Sequence, residues 1–150
     1  PPISEPGFVV KRGPIATIEI GIEVKIISKA MIRQVGRNIS DLKDQVQHFK
    51  RKGGTPITIG LVGINHAPYY VSYEGTKVWR TTGRGRYKHP CQEAAETERR
   101  LLAEAAPYFD EFFILHFIAT NDTPYNFQWV NQAAVQADYG AILVRVSSRY

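Results

Sequence analysis

From Ile18 to Ile26, apolar and polar residues alternate almost without a fault. Ile18, Ile20, Ile22, Val24 and Ile26 fall on one face of an extended chain. Thr17, Glu19, Gly21, Glu23 and Lys25 fall on the other, because strand side chains alternate with period two. The pattern predicts a strand over residues 16–27. Past Ser28 the period lengthens: Met31, Val35, Asn38/Ile39, Leu42, Val46 and Phe49 recur at steps of three and four. That spacing predicts an amphipathic helix from about Ser28 to Lys52, with Ser28 as N-cap and Gly53-Gly54 as the stop.

The rest of the chain keeps alternating between the two periods. Residues 55–65, "TPITIGLVGIN", are apolar enough for a central strand. Tyr69–Tyr73 and Lys77–Arg80 predict a hairpin turning through Glu74-Gly75, and a second helix is predicted from Cys91 to about Ala106, stopped by Pro107. "FFILHFIA" predicts a buried strand and "FQWVNQAAVQAD" a third helix ending at Gly140. "AILVRVSS" predicts a last strand. Before all of these, "GFVVKRG" reads as a short strand and Arg12-Gly13-Pro14 as a turn. Strands alternating with helices imply an α/β layer fold with a mixed sheet.

Size and composition change this picture little. At 150 residues the chain is expected to be one domain, or part of a longer protein, and a chain of this size buries roughly 70% of its unfolded surface. A hydrophobic fraction of 43% and a charged fraction of 22% are ordinary for a globular protein. No apolar run approaches the ~20 residues that cross a bilayer, and the start "PPISEPGFVV" lacks a signal-peptide layout. The single cysteine, Cys91, excludes an internal disulfide and a cysteine-based zinc cage. These features lead to the expectation of a cytoplasmic or nucleoid-associated protein with no membrane partner. Lysine plus arginine exceed aspartate plus glutamate by 19 to 14, an excess compatible with a polyanionic partner.

The charged face of the first long strand carries the candidate chemistry. Glu23 and Lys25, two apart, project side by side. A carboxylate there can bind magnesium, which prefers oxygen ligands and keeps several waters. An adjacent ammonium can orient an attacking water or offset charge developing on a phosphate. The alternative is a solvated strand face, where an exposed pair contributes about 0–1 kcal/mol.

Glu23-Val24-Lys25, behind Pro6-Gly7-Phe8-Val9-Val10 and ahead of a helix carrying Asp41 to Phe49, resembles the PD-(D/E)XK nuclease superfamily. The resemblance covers the first third of the chain. It implies the restriction-endonuclease-like fold, a three-layer α/β/α sandwich around a central mixed sheet, and a metal-dependent endonuclease that hydrolyses DNA phosphodiesters with Mg2+ or Mn2+. Glu23 would bind the metal, Val24 would lend its backbone carbonyl, and Lys25 would position or activate the water. Gln45 would support the site from the helix, one turn before Phe49, where some branches have tyrosine. The family's metal-binding aspartate falls at Gly7, which has no ligating side chain. Three explanations stay open: an aspartate replaced in this chain, a natural loss of catalysis with DNA binding or assembly retained, or another acid in its place. Glu19, on the face of Glu23, is the best-placed substitute; Glu5 is a poorer one.

Basic residues suggest where DNA would lie. Lys29, Arg33 and Arg37 recur every four residues and predict a phosphate-facing stripe, or else a solvated helix face closed by Asp41 as counter-charge. Residues 79–90, "WRTTGRGRYKHP", hold Arg80, Arg84, Arg86 and Lys88 with Trp79 and Tyr87 and no acid. Such a loop suits phosphate contact, groove insertion or base stacking. The expected partner is double-stranded DNA, with room for a homodimer. His48, His66 and His116 share no metal-ligand spacing.

Overall fold

The computed structural model describes residues 4–5, 8–9, 18–51, 54–80 and 88–150. Two short strands, β1 (Ser4–Glu5) and β2 (Phe8–Val9), pair antiparallel with each other. The main body follows as β3 (Ile20–Ile27), α1 (Met31–Arg51), β4 (Ile57–Asn65), β5 (Tyr69–Val71), β6 (Val78–Arg80), α2 (Pro90–Glu104), a 3-10 turn at Ala106–Tyr108, β7 (Glu111–Ala119), β8 (Phe127–Trp129) and α3 (Gln132–Arg149). The described residues thus form a mixed α/β fold with a four-stranded mixed sheet and three helices.

The main sheet has the order β3-β4-β7-β8. β3, β4 and β7 run parallel, with Glu23 opposite Gly60 and Ile64 opposite His116, and β8 closes the far edge antiparallel. Parallel neighbours need a crossover, and α1 and α2 lie in the two crossovers. Both pack on one face of the sheet. The predicted stripe of α1 is what buries: Met31, Val35, Ile39, Leu42, Val46 and Phe49 are all inside. They meet Ile27, Val62 and Ile64 of the strands and Leu101 of α2. Each fully buried side chain of this size contributes about 1.5–3 kcal/mol, so this helix-covered face anchors the fold. β4 is central, as its apolar run predicts.

The opposite face is only partly roofed. Arg145 of α3 bonds Glu111 (Nε to Oε2, 2.9 Å) and sets its guanidinium 5.5 Å from the Phe113 ring, which docks α3 over β7. No residue of α3 is buried. For the same reason β7 is half-buried except at Phe117, not the buried strand its apolar run predicts.

Three further sequence expectations change. Residues 132–149 are one helix; Gly140 lies inside it, and "AILVRVSS" is its second half, not a strand. A short apolar run fits either element, and here the cap decides: Asn131 accepts from the Ala134 N–H (3.0 Å), and Val135, Ile142 and Val146 then share the half-buried side. Phe127–Trp129, predicted helical, form β8. α1 starts at Met31, beyond Ser28, because Ala30 adopts a left-handed φ of 48° and the Met31 N–H is capped from α2 by Glu93 (2.6 Å).

At the C-terminal ends of the parallel strands, buried Asn65 ties three segments together. Its Nδ2 donates to the carbonyls of Ser28 (3.2 Å) and Ala119 (2.6 Å). Its Oδ1 accepts from the N–H groups of Ala67 (2.9 Å) and Ala119 (3.1 Å). The β5–β6 hairpin is fastened to the same edge through Asn121, whose amide donates to the Val71 carbonyl (2.9 Å), and through the Tyr69 hydroxyl on Asp122 (2.5 Å).

Candidate acid–amine site beneath the first helix

The charged face of β3 points inward, toward α1, and its isoleucine face points away. Gly21 permits this. The Phe49 ring occupies the space a Cβ would take, with Cδ2 2.4 Å from that position, so a bare backbone is what lets the end of α1 lie on the strand. From there α1 runs back along β3. Phe49 lies beside Gly21 and Asp41 reaches Lys25, so Gln45, midway on the same row of the helix, falls at the level of Glu23.

Glu23 and Lys25 form an ion pair (Oε1 to Nζ, 3.1 Å), and the Asp41 carboxylate approaches the same ammonium at 3.7 Å. The Glu23 and Lys25 side chains are 21% and 26% exposed and the Asp41 side chain 44%, so the pair is half-buried with a more exposed carboxylate beside it. Asp41, which the sequence offers as a counter-charge only in the solvated-helix alternative, is a second carboxylate beside Lys25. The signal for it was its place four residues before Gln45, on the row that includes Phe49.

The other named residues are placed less closely. Glu19 lies just before β3, exposed, and its carboxylate accepts from the Tyr150 hydroxyl (2.7 Å). The Gly21–Phe49 contact stands between it and Glu23. Val24 has its side chain on the open face of β3. Gly7, Arg84 and Arg86 lie outside the described residues, as does the side chain of Arg80. Arg33, Arg37 and Lys88 are exposed, the first two on α1 ahead of Asp41. Lys29 is not on the helix. It follows β3, and its ammonium sits 4.5 Å from the Trp79 ring and 5.6 Å from that of Tyr70, opposite neighbours in the β5–β6 hairpin. Lys29 thus joins the hairpin to the end of the strand that carries the acid–amine pair.

A second polar cluster lies under α2. The His66 and His116 rings meet edge to face at 4.7 Å, and His116 Nε2 bonds Glu98 of α2 (3.0 Å). His66 Nε2 is buried with no hydrogen-bond partner. Burial, then the neighbouring His116, push the His66 pKa below its ordinary 6.5, against a smaller opposing effect of Glu98. The unfolded chain therefore takes up a proton at His66 before the folded one does. Stability conferred by neutral His66 is complete above pH 6.5 and declines as the pH falls toward the lowered folded-state value. Urea midpoints are expected to drop from pH 7 to pH 5, and His66→Gln to flatten that slope. An equal slope in both proteins would contradict this assignment.

Among the described residues no group of three His, Cys, Asp or Glu is placed to hold a metal ion, and no helix is long and apolar enough to cross a membrane. The two carboxylates beside Lys25, those of Glu23 and Asp41, are oxygen donors. That chemistry suits Mg2+ or Mn2+ better than zinc. Compared with known proteins, the chain matches no family model, no curated protein and no solved structure.

Proposed function

We propose that the chain is a metal-dependent deoxyribonuclease domain of PD-(D/E)XK type, with double-stranded DNA as its substrate. The observation that carries this reading is the inward turn of Glu23 and Lys25 beneath α1, with Asp41 beside them. In this reading Glu23 and the Val24 carbonyl would hold a divalent ion, and Asp41 stands 3.7 Å from the Lys25 ammonium. The ion would polarise the phosphate and lower the pKa of the attacking water. Lys25, fixed between two carboxylates, orients that water and offsets charge developing on the phosphate. Gln45 orders the Glu23 side of the site from the helix. Arg33 and Arg37 supply phosphate contacts that set register without reading sequence. The restriction-endonuclease-like three-layer fold and a cytoplasmic or nucleoid setting belong to the same proposal.

A second reading, a DNA-binding or assembly module without catalysis, is favoured by Gly7, which cannot ligate. Plasmid nicking with magnesium separates the two. Gly7→Asp is expected to nick faster than the unaltered chain, and adding Lys25→Ala to it to slow nicking by about 10²–10⁴-fold, the range for a lost proton-handling group. Nicking that survives Lys25→Ala undiminished would remove that residue from the mechanism. If neither the unaltered chain nor Gly7→Asp nicks, salt-dependent DNA binding is what the second reading requires.

A further inference from the structure

β3 forms one edge of the main sheet, and among the described residues no strand pairs with its outer side. Its open face is apolar: Ile20, Ile22, Val24 and Ile26 are 39%, 55%, 51% and 65% exposed. A long apolar edge strand is a template for another strand, and proteins commonly block such edges with a charge on the inward face. Glu23 and Lys25 occupy that blocking position. Being of opposite sign and two residues apart, they block some registers and favour another.

We propose that β3 pairs antiparallel with β3 of a second copy about a two-fold axis through Val24. Opposite residues in an antiparallel pair share a face, so a two-fold axis normal to the sheet must pass through a residue, not between two. Two axes keep nearly the whole strand paired: through Glu23, spanning Ile20 to Ile26, and through Val24, spanning Gly21 to Ile27. The first sets Glu23 against the partner's Glu23. The second sets Glu23 against the partner's Lys25, twice, and Ile22 against the partner's Ile26, twice. Only the second is complementary in charge and in apolarity together. The two sheets become continuous, the isoleucine strips merge on one face, and the two acid–amine pairs form one row on the other. The pairing rests on the open edge and the order of its charges rather than on catalysis, and in it the Val24 carbonyl, which the nuclease reading gives to the metal, accepts from the partner's strand.

The test uses the whole chain. Light scattering after gel filtration is expected to show a dimer at tens of micromolar protein. In a Cys91→Ser background, Val24→Cys is expected to lock that dimer by a disulfide on mild oxidation, since opposite Cα atoms about 4.5–5.5 Å apart suit one. Ile20→Cys is not, because its two copies would be roughly 26 Å apart along the strands. Lys25→Glu sets acid against acid across the axis and is expected to weaken the dimer at least tenfold by sedimentation equilibrium. A monomer at this concentration, a dimer that does not lock through position 24, or one indifferent to Lys25→Glu would each overturn the proposal.

Discussion

Replacing Asn65 by leucine is expected to lower the stability of the fold by about 3–5 kcal/mol, the sum of a few unsatisfied buried groups at about 1–3 kcal/mol each. Leucine has the same branching and is no smaller, so no cavity is left. What is lost is a set of four hydrogen bonds on a side chain with no exposed surface. The Ser28 and Ala119 carbonyls and the Ala67 and Ala119 N–H groups belong to segments that leave β3, β4 and β7 on three different courses. Their strand ladders end here, so each of these bonds has Asn65 as its side-chain partner, and water must enter or the ends must fray. The damage is expected to spread toward the candidate site, since Ser28 precedes Lys29 and the strained Ala30 that starts α1. Urea unfolding of Asn65→Leu against the unaltered chain measures the cost, and a loss below about 1 kcal/mol would show that the strand ends are held by something else.

The α1 stripe and the central strand β4 were legible because each pattern has one physical reading. Six apolar residues at helical spacing can be buried together only on a helix, and all six are buried. A strand buried on both faces has no polar side to show, and between Thr58 and Asn65 β4 carries only apolar residues and glycine. The period of β3 was equally clear, but alternation divides a strand into two faces without saying which one meets the core. Five branched apolar residues suggest the wrong choice. The deciding signals were Gly21, which admits Phe49, and Ile27, which ends the charged face with a core residue. Both depend on contacts with α1 that have no local signature. Residues 127–149 failed for another reason. Short apolar runs carry no reliable period, and the cap at Asn131, with the docking of Arg145 on Glu111, outweighs the strand propensity of Ile142, Val144 and Val146. At the site, Glu23 and Lys25 were legible as neighbours on one strand face. Asp41 required knowing that α1 runs back over that face.

Gly21→Ala is expected to be the most damaging single-methyl change near the site, costing about 1–3 kcal/mol as an overpacked contact. The new Cβ would lie 2.4 Å from Phe49 Cδ2 and 2.6 Å from Cγ. Cγ is the root of the ring, so a turn of the ring cannot clear it, and the end of α1 must lift from β3. Asp41 and Gln45 lie on the same helical row as Phe49, so lifting that end loosens their reach toward Lys25 and Glu23. The strain has one source, and it can be relieved there. Phe49→Ala alone removes buried ring surface and is expected to cost about 3–5 kcal/mol. Combined with Gly21→Ala it removes the collision as well as the ring, so the double variant is expected to be more stable than the two single losses predict when added. A coupling of about 0.5–3 kcal/mol is the size that residues in direct contact show. Urea unfolding of the four proteins measures it, and strict additivity would mean that Phe49 does not rest on Gly21. In that case the alignment of α1 that brings Asp41 to Lys25 loses its physical basis.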